Sequence, residues 1–192
     1  MDGGAAIPYC WVNIRGVLTL SRSRARPAAT PYHHGDLRNH LLAVAFDILK
    51  DGGMAALSLR EVAREAGVSH QAPYHHFPSR AHLLAALAEQ GFEQLGTEVA
   101  AAQATVTPID EKAYVSAVHY VLFAARNPER FKLMFGSEIG VRTQYPGLAA
   151  AASRVFELLV APLGAKVTPG VGAPPPLALA CWSTVHGLAA LV

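Results

Sequence analysis

The stretch Ser58-Leu59-Arg60-Glu61-Val62-Ala63-Arg64-Glu65-Ala66-Gly67-Val68-Ser69, continued by His70-Gln71-Ala72-Pro73-Tyr74-His75-His76-Phe77-Pro78-Ser79, decides how this chain is read. Ser58 with Glu61 three residues on has the form of a capping box, so a helix starts there. Leu59, Val62, Ala63 and Ala66 fall on its inner face, and Gly67 ends it. Gly67-Val68-Ser69 predicts a tight turn, with Ser69 placed to cap a third short helix that runs to His76. Phe77-Pro78-Ser79 breaks the chain again. Two short helices joined by a glycine-containing turn make a helix-turn-helix, and the second is short enough to lie in the major groove of DNA.

Upstream, Leu37, Leu41, Leu42, Ala45, Ile48 and Leu49 recur at three- and four-residue spacing. That period predicts an amphipathic helix over 37–50, with Asp36 as N-cap and Gly52-Gly53 as a stop. Downstream, Ser79 opens a long helix carrying Leu83, Leu84, Leu87, Ala88, Gly91, Leu95 and Val99 along one side. Further helices are expected at about 110–126, 129–135, 146–163 and 177–192, the last two separated by a Gly- and Pro-rich loop over 168–176. No segment alternates as a strand. The fold class is therefore all-α. A homeodomain-like three-helix reading domain over 32–79 precedes a helical bundle over 80–192. Residues 1–31 lack periodicity and read as a flexible, mildly basic arm, or as residues added by an over-extended start.

Composition agrees with a folded, helix-rich protein: of 192 residues 52% are hydrophobic and 16% charged. The net charge of +2 divides unevenly. Residues 1–82 hold nine Lys/Arg against six Asp/Glu, a net +3, and the rest hold seven against eight, a net −1. An anionic partner is thus expected at the front half, which also has seven of the nine histidines. Cys10 and Cys181 show no metal or redox spacing, which makes a reducing compartment the default. The start has no basic export region, and 177–192 is short for a bilayer span, so a soluble, cytoplasmic protein without a membrane partner is expected.

On the third helix His70, Gln71, Tyr74 and His75 share the exposed side. Gln reads an adenine edge through paired hydrogen bonds, while Ser, Tyr and His donate to phosphates. Arg80 sits in the first turn of the long helix, where a cation opposes the helix dipole. A phosphate approaching that helix end would explain it. The candidate DNA-binding set is Ser58, Arg60, Ser69, His70, Gln71, Tyr74, His75, His76 and Arg80. Phe77 reads as core, and for Tyr74, His75 and His76 packing or a solvated face is the alternative. Adjacent histidines on a helix diverge by about 100°, and no carboxylate sits at ligand spacing, so neither a metal nor a cofactor is expected.

The run Leu59–Ser69 followed at fixed spacing by Tyr74-His75-His76-Phe77-Pro78-Ser79-Arg80 resembles the TetR family of regulators, over about 33–95. The resemblance implies a dimer that binds an inverted-repeat operator in double-stranded DNA. It also implies a small effector in the back domain, whose binding releases the repressor. Pro73 departs from the family, which commonly has Leu there; near the end of a first turn it removes at most one backbone bond. Trp182-Ser183-Thr184-Val185-His186-Gly187 is similar to the Trp-x3-His-Gly signature of one C-terminal domain type in the family. Candidate effector contacts are Phe92, Tyr114, His119, Phe123, Phe131, Met134, Phe135 and Phe156, with ordinary core as the alternative. Few charges fall on these helices, which favours a largely apolar ligand. Ala178, Trp182, Val185, Ala189 and Val192 form a stripe beside His186, expected to pack on a second copy. The family builds such interfaces from two helices, here 146–163 and 177–192. Val192 ends the sequence on an apolar residue, read as a truncated terminus or a small, weak interface. The competing class is an enzyme or small-molecule carrier in which the helix-turn-helix is not used on DNA, although no Ser/His/Asp, Cys/His or phosphate-loop arrangement supports it.

Overall fold

The computed structural model describes residues 37–164 and 175–192. The expectations for the arm 1–31, the Asp36 cap, Cys10 and most of the loop 168–176 fall outside them. α1 (Leu37–Ala56) buries Leu41, Leu42, Ala45 and Leu49, the face its period selects. Gly53 has φ 67 and interrupts the helical geometry. The expected stop is thus a kink that only glycine adopts without strain, after which helical hydrogen bonding resumes as far as Ala56. α2 (Leu59–Glu65) starts as the sequence requires: the Ser58 side chain accepts from the Glu61 N–H at 3.1 Å. Gly67, at φ 68, turns the chain into the next segment.

That next segment corrects the sequence reading. In place of a helix over 69–76 capped by Ser69, the structure has a single 3-10 turn, Ala72–His75, with no side-chain cap. Pro73 is the cause. Lacking an N–H, it cannot donate the helical bond to the Ser69 carbonyl, which Ala72 takes instead (3.0 Å); Tyr74 bonds to Gln71 (3.1 Å) and His76 to Pro73 (3.0 Å) in the same 3-10 pattern. Phe77 N–H then closes onto the Pro73 carbonyl at 2.8 Å, which turns the Phe77 ring into the core.

α3 (Arg80–Ala104) is the spine, capped by Ser79 and packed against α1, α4, α5 and α6. α4 (Ile109–Arg126) and α5 (Pro128–Phe135) meet at Asn127, where Pro128 occupies a first-turn position that needs no N–H donor. α6 (Pro146–Val160) runs on as a 3-10 turn, Ala161–Leu163, and α7 (Pro176–Ala189) lies on α4 and α6. No strand occurs among the described residues. Two polar ties fix the packing. Gln103 donates to the Ser116 hydroxyl (2.8 Å) and the Leu158 carbonyl (3.0 Å), joining α3 to α4 and α6. Arg130 lies 3.5 Å over the Phe46 ring and donates to Gln94, joining α5 to α1 and α3.

Pro146–Leu163 is long and apolar enough to cross a membrane by length and composition, yet it contains Arg154 and Glu157, and Leu148, Ala151 and Val155 are buried. α7 is turned opposite to the expected direction. Ala178 and Ala189 are buried within their own chain and Trp182, Val185 and His186 pack inward, so all of the stripe proposed for a second copy except the exposed Val192 faces this subunit's core. Leu177, Leu188 and Leu191 are exposed instead. The reason is composition: apart from Ser183 and Thr184 the exposed side of α7 is as apolar as the buried one, so periodicity marks a stripe without saying what covers it.

Candidate functional site

Arg60 from α2 and His70, Gln71 and Tyr74 from the following turn line one open, exposed depression. Four of the nine residues expected to bind DNA are therefore brought together. The 3-10 geometry keeps Pro73 buried and Tyr74 exposed, so the expected exposed face survives the shorter helix. Ser69 and His75 are exposed outside this depression. Ser58 spends its acceptor on the α2 cap. His76 belongs elsewhere: it borders a groove with Arg38, His82 and Tyr145, between the reading segment and the turn before α6.

The acids of α2 are neutralised locally. Arg64 donates from Nε and Nη2 to the Glu61 carboxylate at 3.0 and 2.5 Å and also pairs with Glu65. The Arg64 bond holds the Glu61 carboxyl below its usual range. A polyanion approaching α2 thus meets an ion-paired surface rather than two bare carboxylates. Arg80 has a role that spacing did not reveal. Its Nε donates to the Leu57 carbonyl (2.8 Å) and its Nη2 to the Met54 carbonyl (2.6 Å). The guanidinium satisfies carbonyls beyond the Gly53 kink and ties the end of α1 to the start of α3. A phosphate is not required to explain a cation at that helix start.

Behind this segment, an aromatic cluster joins α4, α5 and α7. The Tyr120 hydroxyl is hydrogen-bonded to His186 Nδ1, 2.9 Å away. Burial raises the Tyr120 pKa and lowers that of His186, so the fold favours the neutral form of both. His186 stacks on Trp182 at 4.8 Å and 13° and contacts Phe131 and Phe135. Two cavities flank Trp182. One, of about 160 Å³, has Phe92, Tyr120, Phe135, Phe156, Trp182 and Arg142 in its wall. The other, of about 320 Å³, lies between α4, α6 and α7, with Ser116, Leu159, Cys181 and Trp182 in its wall.

Of the expected effector contacts, Phe92, Phe135 and Phe156 reach a cavity. Phe123, Phe131 and Met134 are buried as core, and neither cavity includes them or His119. Tyr114 is 71% exposed and faces away.

Two family models match the chain. Residues 41–87 match the one described as bacterial regulatory proteins, tetR family, and residues 115–192 match a tetracyclin repressor-like C-terminal domain. A solved structure of a Rhodococcus sp. RHA1 protein of unknown function is 34% identical, covering 85% of this chain and 86% of its own, with a TM-score of 0.70. The chain belongs to the TetR family of bacterial regulatory proteins. It is a DNA-binding transcription regulator, with the helix-turn-helix at its N-terminal side. The fold is shared by a TetR-family transcriptional regulator from Thermus thermophilus (23% identical, 77% and 81% covered, TM-score 0.57). It is shared too by a TetR-family regulator from Streptomyces coelicolor (23% identical, 80% and 81% covered, TM-score 0.56). The comparison with curated proteins returned no match. Within the TetR frame, Tyr120, Arg142 and Trp182 are among the cavity residues that sequence reasoning did not assign to the effector. Trp182 and His186 carried a signal in the Trp-x3-His-Gly motif. Tyr120 and Arg142 carried none, since each acquires its surroundings from distant segments.

Proposed function

We propose that the protein is a cytoplasmic, dimeric repressor that binds an inverted-repeat operator through Arg60, His70, Gln71 and Tyr74 and releases it when a small, largely apolar effector enters the bundle. The observation that carries this reading is the exposed depression shared by those four side chains. In it Gln71 is the base reader and Arg60 a phosphate or guanine contact. Residues 32–79 act as the reading unit and 80–192 as the effector and dimerisation unit. Two-fold symmetry of the protein then selects a two-fold operator. For the dimer, the outward face of α7 with Leu177 and Leu188, continued past the helix end by Leu191, replaces the stripe that packs inward, beside the open face of α6.

Switching has a physical route in the fold. Tyr145 packs edge-on to His82 at 5.3 Å, and His82 Nδ1 is bonded to Ser79, the α3 cap, at 2.9 Å. Arg142, three residues before Tyr145, borders the smaller cavity. An effector there biases the turn 142–145 and, through it, the N-terminal end of α3. A shift assay against genomic fragments tests the function. Salt-sensitive, sequence-selective binding supports a regulator, whereas binding indifferent to sequence counts against it.

A further inference from the structure

Resting on the effector reading above, we infer that the ligand of the smaller cavity is a small aromatic carboxylate, whose ring lies among Phe92, Phe135, Phe156 and Trp182 and whose anionic group meets the Arg142 guanidinium. Arg142 is the one charged side chain in that wall. Its Nη2 donates to the Met134 carbonyl, and its guanidinium carbon lies 5.9 Å from the centre of the Phe135 ring. No carboxylate pairs with it among the described residues, whereas three other arginines bordering the bundle have polar side-chain partners: Arg126 with Glu98, Arg154 with Glu93 and Arg130 with Gln94. A half-buried guanidinium with one carbonyl partner retains several donors, in the fork geometry that matches a carboxylate. Burial leaves this charge poorly solvated, and a bound anion would offset that cost.

The rest of the wall fixes the remainder of the ligand. Four aromatic side chains offer faces and edges to a flat ring. The volume of about 160 Å³ is close to that of an engineered apolar cavity, about 150 Å³, known to hold benzene. One ring therefore fits. Leu159 and Trp182 are shared with the larger cavity, so a ring substituent could extend past the indole.

The test is calorimetric titration of the full chain with phenylacetate and with its neutral isostere phenylacetamide. Phenylacetate should bind at least about tenfold tighter, as expected of a charge-assisted bidentate pair. Arg142→Gln should erase that preference while still binding the amide, and Arg142→Lys should keep part of it; retained operator binding shows that both variants are folded. Equal affinity of the wild type for acid and amide overturns the proposal, as does a preference that survives in Arg142→Gln, or binding of neither compound. Arg142-dependent binding of phenylacetate that leaves operator affinity unchanged upholds the site and instead defeats the effector reading on which it was built.

Discussion

Between Ser58 and Phe77, charged and polar side chains mark which face is exposed, whereas α7 carries no charged residue and, outside Ser183, Thr184 and His186, only apolar ones. In the first region the sequence places Leu59, Val62 and Phe77 inside and Arg60, His70, Gln71 and Tyr74 outside, and the fold does the same. In α7 the stripe at 178, 182, 185 and 189 is found but assigned to the wrong partner. A polar face orients an amphipathic helix, because burying it would leave donors and charges without water. Where Leu177, Leu188 and Leu191 are as apolar as Trp182 and Val185, only the shape of the neighbouring elements decides. Here the decision lies with α4 and α5, whose Tyr120, Phe131 and Phe135 take the imidazole of α7, and with α6, whose Phe156 takes the indole.

Inverting α7 is the sharpest way to break this contrast. Trp182→Asp puts a charge among Tyr120, Phe156 and His186 and should destabilise the subunit by on the order of 3 kcal/mol, seen as a large fall in Tm. Leu188→Asp should leave the subunit folded and convert dimer to monomer in sedimentation. A folded monomer from Trp182→Asp, with no effect of Leu188→Asp, would reverse the orientation described here.

Arg80→Ala comes next. Losing the bonds to the Leu57 and Met54 carbonyls should lower stability by about 1–3 kcal/mol, with little change in the salt dependence of operator binding. A salt slope lower by about one unit with Tm unchanged would make Arg80 a phosphate contact, as its sequence position implied.

How legible the chain was depends on how local each cause is. The caps at Ser58 and Ser79, the turn at Gly67 and the periods of α1 and α3 act within a few residues and were readable. The kink at Gly53 and the 3-10 turn at Pro73 were half readable: both residues were noticed, but their geometric effect was underestimated. The Arg80 ties reach back 23 and 26 residues and the Tyr120–His186 bond spans 66, distances over which spacing carries no information.

The Tyr120–His186 bond supplies the smaller effects. Tyr120→Phe leaves His186 Nδ1 without its hydrogen-bond partner and should cost about 1 kcal/mol, read as a modest drop in Tm. Because burial lowers the His186 pKa in the folded state, the unfolded chain binds the extra proton first. Stability is therefore complete above the ordinary histidine pKa of about 6.5 and falls as pH drops below it. Thermal melts on the two sides of that value should show a smaller loss on acidification in His186→Gln than in the wild type. An equal or larger loss in the variant would mean that His186 is not held neutral.

The central claim is that the depression around Gln71 reads bases, and selection of bound duplexes from random DNA by wild-type and Gln71→Ala protein tests it most directly. The wild type should recover an inverted repeat. Gln71→Ala should keep the repeat and its spacing but lose preference at one step in each half-site, a discrimination of about 1–3 kcal/mol. Identical sequence preferences from the two proteins, or no repeat from the wild type, would contradict it.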